Sequence, residues 1–370
     1  MKVICSKASL LNGVNTVKKA VPTRTTMAIL ECILIDASAN EIKLTANDTE
    51  LGIETVIEGE IQERGVIALD AKIFSDIVNK LPDNEVVIET DATFKTFITC
   101  EKSKFNIIGK SGEDFSPIPY IEKTNEISIS QFSLKEVIRQ TIFSIADNEN
   151  NKMMTGELFE IKENVMRVVS LDGHRIAIRK ITFDRSYDEK KVVVPGKTLQ
   201  EISKIIPGET EQMVNIYFDE NHVMFTFDRT TVVSRLIEGE YFKIDQMLSS
   251  DYDTRIEINK RSLLDCIDRA TLLVKEGDKK PIIMDIKDDV MNLRINSFIG
   301  TMDEEIDIEK TGKDIMIGFN PKFFIDALRV IDEEKISLFM VNPKAPCFIK
   351  DEEESFIYLI LPVNFNNGNV

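Results

Sequence analysis

Histidine is nearly missing: the 370 residues hold two, His174 and His222. With so few imidazoles, no histidine-rich metal cluster and no nucleophile–base pair can be assembled from the chain. Cysteine is sparse as well. Cys5, Cys32, Cys100, Cys266 and Cys347 are scattered, odd in number and without a CxxC pair, so neither a disulfide framework nor a zinc site is supported. They are expected to be reduced and buried, as small hydrophobes. No apolar run reaches the roughly 18–20 residues of a membrane span, and Met1-Lys2-Val3-Ile4-Cys5 lacks the long apolar centre of a signal peptide. These absences imply a cytoplasmic protein with no membrane partner. Positive charge is short too, with 46 Lys and Arg against 63 Asp and Glu, a net of −17 that on its face argues against nucleic acid.

Two fragments suggest enzymes and fall short. Pro195-Gly196-Lys197-Thr198 ends like a phosphate-binding loop, but GxxxxGK[ST] needs glycine at position 191, where the chain has Lys191. Asp172-Gly173-His174-Arg175 offers an acid, a base and an anion clamp. A lone histidine beside glycine is more often a turn or a pocket rim than a base, so no catalytic residue, metal or cofactor is assigned.

What the sequence does have is a repeat. Lys72, Lys197 and Lys322 stand 125 residues apart, twice over, and each leads a stretch with helical apolar spacing. A second set begins at Ser9-Leu10-Leu11, Ser133-Leu134-Lys135 and Ser262-Leu263-Leu264. In its middle copy Leu134, Val137, Ile138, Thr141, Ile142 and Ile145 form the stripe of a helix with one buried face. Helix starts are thus expected near 7, 70, 132, 195, 259 and 320, about 62 residues apart.

Between them the apolar period changes to two. Ala39-Asn40, Glu163-Asn164, Glu220-Asn221 and Asp288-Asp289 each separate runs rich in Val, Ile, Phe and Thr, which predicts antiparallel hairpins. The expected class is α+β, with three repeated domains, each of two strand–helix–strands halves and helices on one side of antiparallel sheet. Turn formers at Phe115-Ser116-Pro117-Ile118-Pro119 and Leu248-Ser249-Ser250-Asp251 set the expected domains at 1–121, 122–249 and 250–370.

The positive charge is concentrated. The six helical stretches (7–20, 70–81, 132–146, 196–206, 259–275 and 321–331) sum to +8, which leaves −25 on the rest of the chain. Lysine and arginine favour helix surfaces in any protein. Six equivalent helices in pseudo-symmetric positions, however, share one surface, and a basic helical face on an acidic body suits phosphate contacts without base reading. A module that binds only proteins, with no DNA, is the alternative.

Motifs spread along the whole chain carry a resemblance. They are Arg24-Thr25-Thr26-Met27-Ala28-Ile29-Leu30, Asp48-Thr49-Glu50, Lys80-Leu81-Pro82, Asp114-Phe115-Ser116-Pro117, Leu171-Asp172-Gly173-His174-Arg175-Ile176-Ala177, Val193-Val194-Pro195-Gly196-Lys197, Leu236-Ile237-Glu238-Gly239 and Leu359-Ile360-Leu361-Pro362-Val363. In this order the chain resembles the β sliding clamp family of bacterial DNA polymerase III. The resemblance implies a non-catalytic processivity factor with the DNA clamp fold. Two three-domain subunits would join head to tail in a closed ring, with twelve helices lining a hole for duplex DNA. DNA contacts are expected at Arg24, Lys72, Asn148, Lys152, Lys197 and Lys322. The homodimer interface would set Phe105 and Ile107 against Leu272 and Leu273. Peptides of the polymerase III alpha subunit, the clamp loader and repair proteins would enter an apolar pocket at Met154, Leu171, Gly173, His174, Arg175, Ile176, Phe242, Met247, Leu359, Ile360, Leu361, Pro362 and Val363. The family often has Pro and Tyr flanking Asp after Gly239, where this chain reads Glu240-Tyr241-Phe242-Lys243-Ile244. It also runs on past Val363 as Asn364-Phe365-Asn366-Asn367-Gly368-Asn369-Val370, a tail expected to be mobile, where an arginine is common.

Overall fold

The computed structural model describes residues 1–147, 151–248, 251–274 and 280–365. Among them are six α-helices: α1 (Lys7–Val17), α2 (Ala71–Lys80), α3 (Gln131–Thr141), α4 (Gly196–Ile205), α5 (Lys260–Thr271) and α6 (Pro321–Val330), each starting within a residue of its expected position. The starts are dictated locally. Ser6, Asp70, Ser130 and Asn259 each end a strand and accept an N–H from the first helical turn, from Ser9 (3.1 Å), Ile73 (2.8 Å), Ser133 (3.0 Å) and Ser262 (3.0 Å). Asn320 caps α6 in the same way, with Pro321 in the first turn, where a missing N–H is tolerated. α1 and α3 are shorter than expected because their last turns tighten into 3₁₀ geometry at Lys18–Ala20 and Ile142–Ser144.

The helices bury the predicted stripes. Leu134, Val137, Ile138 and Thr141 are all inaccessible on α3, as are Ala71, Phe74, Ser75 and Val78 on α2. α1 packs on α2, where Lys18 Nζ donates to the buried Ser75 hydroxyl at 2.9 Å, and α5 packs on α6. All five cysteines are buried free thiols.

The chain folds as two compact units, residues 1–134 with 197–236, and residues 135–196 with 237–370. Both units draw on residues 122–249. In the first, a five-stranded antiparallel sheet has the order Glu60–Glu63, Lys2–Ser6, Glu85–Thr90, Lys95–Cys100, Ser103–Ile108. A nine-stranded sheet runs Lys110–Ser111, Val66–Asp70, Cys32–Asp36, Ile42–Asn47, Leu51–Ile57, Thr230–Arg235, His222–Phe227, Met213–Phe218, Ile127–Ser130. In the second unit, a seven-stranded sheet runs Gly156–Leu171, Arg175–Pro195, Phe356–Ile360, Cys347–Lys350, Lys335–Met340, Thr254–Asn259, Glu309–Gly312, and a four-stranded one Thr301–Asp307, Val290–Asn296, Ile282–Lys287, Ile315–Phe319.

Two sheets thus join strands that come from successive copies of the repeat. Thr230–Arg235 pairs with Leu51–Ile57 in the first unit, and Phe356–Ile360 pairs with the start of Arg175–Pro195 in the second. The strands in the corresponding places that remain, Ser103–Ile108 and Thr301–Asp307, are sheet edges, each with one neighbour among the described residues.

Three of the four expected hairpin turns are present, at Ala39-Asn40, Glu220-Asn221 and Asp288-Asp289. The one at Glu163-Asn164 is not. There the chain continues as one strand, Gly156–Leu171, with register shifts on both sides of Glu163 and a φ of 53° at that residue. The runs before and after both pair with the single long strand Arg175–Pro195, so the chain need not reverse and the turn formers sit in a bulge.

Candidate partner pocket, helix charges and sheet edges

The motif Asp172-Gly173-His174-Arg175 is the turn between the two longest strands of the second unit. Asp172 Oδ1 accepts the N–H groups of His174 (3.0 Å) and Arg175 (3.1 Å), which closes the turn, and Gly173 has a φ of 87°, where a side chain is strained. This leaves His174 exposed, stacked against Phe323 of α6 at 6.1 Å between ring centroids. Arg175 points the other way. Nε donates to Asp172 Oδ2 at 2.9 Å, Nη1 to Asp326 Oδ2 at 2.6 Å and Nη2 to the Phe143 carbonyl at 2.6 Å, and the guanidinium lies over the Phe323 ring at 4.6 Å. Burial works against its charge, but Tyr358, Asp326 and Asp172 more than offset this and hold it above the usual arginine range. Arg175 therefore braces the turn from within, and the free polar group at the surface is His174.

An apolar cluster lies beside the turn. Leu171, Ile176 and Leu359 are buried in it, with Met154 and Phe242 half-buried against it. Strand alternation separates the terminal motif: Ile357 and Leu359 enter this cluster, whereas Ile360 turns into a different core with Phe356 and Tyr358. Past the strand, Leu361 N–H donates to the His174 carbonyl at 2.9 Å and Val363 N–H to the Gly318 carbonyl at 2.9 Å. Leu361 and Val363 are left exposed, Pro362 lies between them, and Met247 is exposed beyond the 3₁₀ turn Ile244–Gln246. Phe365 packs over Gly318, so the tail expected to be mobile from Asn364 onward is anchored at its start, and its remainder, 366–370, lies outside the described residues. The surface is a buried aliphatic floor, a half-buried Met and Phe wall, and an exposed His174–Leu361–Val363 margin. An extended peptide with one or two large apolar side chains is the ligand it fits.

Three contributors had escaped the sequence reading. Tyr241 and Ile244 are buried in the cluster, three residues apart on one side of the loop after Gly239, and that spacing is a signal that could have found them. Phe323 forms the platform under both His174 and Arg175. Its stretch reads as a core helix, and nothing local marks it.

Beneath the floor lies an unpartnered acid. Glu157 is fully buried, and among the described residues neither carboxylate oxygen has a hydrogen-bond partner; the neighbouring Thr141 hydroxyl donates to the Val137 carbonyl instead. Burial pushes its carboxyl from 4.5 up to about 8. Between those values the folded protein keeps a proton that the unfolded chain releases, so this residue makes stability fall as pH rises through that window and adds no further slope above it. Glu157→Gln is expected to remove that slope and to be more stable than the parent at pH 9 by a few kcal/mol, with little difference at pH 4. Urea denaturation of both proteins at the two pH values measures it, and equal differences at both would contradict it.

Each of the six α-helices carries a net charge of +1, and the 3₁₀ turn after α1 adds +2. Lys72, Lys322, Arg24 and Lys152 are exposed and make no ion pair among the described residues. Lys197 is exposed but its Nζ sits 2.5 Å from Asp48 Oδ2, a carboxylate almost buried in the same unit, so its charge is already balanced. Asn148 lies outside the described residues. Thr198 is buried with its hydroxyl 2.6 Å from that of Ser234, and a Cβ on Gly196 would meet Ile145 and Thr155, so the loop-like Gly196-Lys197-Thr198 is a packing feature. Among the described residues no cluster of three or more His, Cys, Asp or Glu could hold a metal, and no helix is long and apolar enough to cross a membrane.

Of the expected subunit contacts, two lie on a sheet-edge strand and two at the end of a helix. Phe105 is exposed and Ile107 half-buried on Ser103–Ile108. Leu272 closes α5 and is 78% exposed, with Leu273 half-buried against the core of the second unit.

Comparison with known proteins agrees along the whole length. Models described as the DNA polymerase III beta subunit N-terminal, central and C-terminal domains match residues 1–119, 128–243 and 245–364. The Beta sliding clamp of Staphylococcus aureus is 33% identical over 374 residues, covering 98% of this chain and 99% of the relative. Among solved structures, a putative DNA polymerase III beta subunit from Eubacterium rectale matches with a TM-score of 0.97 and 78% identity, over 99% of this chain and 100% of that one. The DNA polymerase sliding clamp of Bacillus subtilis matches with a TM-score of 0.96 and 33% identity over the same shares.

Proposed function

Because the chain belongs to the DNA polymerase III beta subunit family and is a DNA sliding clamp, a processivity factor rather than a catalyst, we propose that two copies close head to tail into a ring around duplex DNA. DNA and a polymerase are the partners that family membership implies. In this reading three domains, 1–121, 122–249 and 250–370, each supply two basic helices, and the protein works in the cytoplasm on the nucleoid. The observation that carries it is the pair of free sheet edges. Two of the three equivalent strand junctions are made within the chain, and Ser103–Ile108 and Thr301–Asp307 are what a second copy would join. A two-fold arrangement makes that contact twice and satisfies both edges.

A ring changes what binding must achieve. Escape requires opening an interface, so phosphate contacts can be few, weak and salt-sensitive, which permits sliding. Lys72, Lys322, Arg24 and Lys152 suit that role as unpaired charges. Lys197 contributes after exchanging Asp48 for phosphate.

The pocket beside His174 takes an apolar peptide segment of the polymerase III alpha subunit, the clamp loader or repair proteins. Half-buried Met154 and exposed Met247 suit a site with several partners, because methionine repacks easily. Met154→Ala combined with Leu361→Ala is expected to weaken a labelled alpha-subunit peptide about 100-fold in fluorescence anisotropy, while the subunit mass in sedimentation is unchanged. Unaltered peptide affinity would reject this assignment.

A further inference from the structure

The repeat that sets the helix starts also places an acid for two of them. Lys197 and Lys322 are each the second residue of their helix and stand 125 residues apart, while Asp48 and Asp172 stand 124 apart, each just past a strand. The two acidic turns are built alike. Asp48 Oδ1 accepts the N–H groups of Glu50 (3.0 Å) and Leu51 (2.7 Å), as Asp172 Oδ1 accepts those of His174 and Arg175. The residue after each acid has a left-handed backbone, with φ of 78° at Thr49 and 87° at Gly173. The turns part at the second carboxylate oxygen. Asp172 Oδ2 accepts from Arg175 Nε, three residues on, and Lys322 is left exposed without an ion pair among the described residues. Three residues after Asp48 the chain has the buried, apolar Leu51, and Asp48 Oδ2 takes Lys197 Nζ at 2.5 Å.

Resting on the reading that the basic helices face duplex DNA, we propose that Asp48 is a built-in competitor of phosphate: it withholds Lys197 from the DNA backbone, once in each subunit, and so keeps the grip of the ring weak enough to slide.

The two partners are unequal in freedom. The Asp48 side chain is 7% exposed and that of Lys197 63%, so the ammonium is open to a ligand while the carboxylate is not. Asp48 is also fixed. Its other oxygen holds two backbone N–H groups, and the next N–H, of Thr49, is held at 2.7 Å by Oδ1 of the nearly buried Asn47. Left-handed backbone is costly for a β-branched residue and persists only where the surroundings enforce it, which makes this turn rigid. A phosphate offers the lysine the same chemistry as Asp48, an anionic oxygen, and one ammonium charge is shared between the two. Each lysine that reaches a phosphate from an unpaired state steepens the salt dependence of binding by about 0.9. Lys197 must first give up Asp48, so its position brings almost no net charge to the DNA. Because a closed ring supplies retention by itself, a further contact would add only resistance to movement. Arg175 performs the opposite service in the second turn, where it occupies Asp172.

Asp48→Asn isolates the charge, because the amide oxygen can still accept the Glu50 and Leu51 N–H groups. In fluorescence anisotropy with a short labelled duplex across a salt series, it is expected to tighten binding about tenfold at low salt and to steepen the logarithmic salt slope by about 1–2, for the two lysines of a ring. Lys197→Ala alone is expected to weaken binding by less than about twofold, and combining it with Asp48→Asn is expected to abolish the gain. If Asp48→Asn tightens binding as much in the Lys197→Ala background, the acid acts only through its general repulsion of DNA. If it changes neither affinity nor slope, Lys197 is not withheld. Either result overturns the proposal and leaves the ring standing. Lys72→Ala with Lys322→Ala is the control: unchanged affinity there would mean that the helices do not face DNA, and the reading beneath the proposal would fall with it.

Discussion

Leu272→Ala together with Leu273→Ala is expected to yield a monomer that is still folded. Leu272 is the cap residue of α5 and largely open to water, so trimming it removes little from the core of its own subunit. Leu273 is half-buried, so trimming it costs about 1 kcal/mol of the subunit's own stability, short of unfolding it. The backbone of this last turn is held by Leu272 N–H to the Arg269 carbonyl and Leu273 N–H to the Ala270 carbonyl, bonds that alanine keeps. In a two-subunit ring every interface residue acts twice. At about 1.5 kcal/mol for each leucine covered, four side chains amount to about 6 kcal/mol, roughly 10,000-fold in the dimer dissociation constant. Sedimentation should show the mass moving from twice 42.1 kDa to one chain. A dimer that persists at the parent affinity would place the interface elsewhere.

Arg175→Ala is the substitution expected to cost the second unit most. Its guanidinium holds Asp172, Asp326 and the Phe143 carbonyl together and stacks on Phe323, and it is 6% exposed. Removing it leaves two carboxylates facing each other across a gap without a cation. Breaking a pair of this kind costs about 3–5 kcal/mol, and the partial exposure of both acids puts this case near the lower end. Arg175→Lys keeps the charge but cannot make three divergent contacts from one planar group, so it should recover only part of the loss. Urea midpoints of the three proteins rank them, and a lysine variant as stable as the parent would show that charge alone is needed. Because Asp172 sets the turn that carries His174, the alanine variant should also bind peptide more weakly.

The sequence was informative where the determining forces are local. Helix starts could be placed to a residue because Ser6, Asp70, Ser130, Asn259 and Asn320 are caps acting within three positions. The buried stripe of α3 followed from spacing alone. Long-range partners were out of reach. Glu163-Asn164 is a bulge and not a turn because of a strand that ends at Pro195. Arg175 faces inward because of Asp326, 151 residues further on, and Lys197 is paired because of Asp48, 149 residues before it. Whether a strand is an edge depends on strand order, which no alternation pattern records. The expectation that Phe105 and Ile107 form an interface came only through resemblance; the sheet order adds that their strand is an edge, which no local pattern records.

The claim on which everything else depends is topological: the protein stays on DNA by encircling it. The direct measurement is to load it with its clamp loader on nicked circular DNA, isolate the complex, and cut half of it once with a restriction enzyme. The account predicts that protein stays on the uncut circles and leaves the linear molecules by sliding off their ends. Equal, rapid loss from both, or equal retention on both, would mean that it is held by contact alone and that the ring does not close.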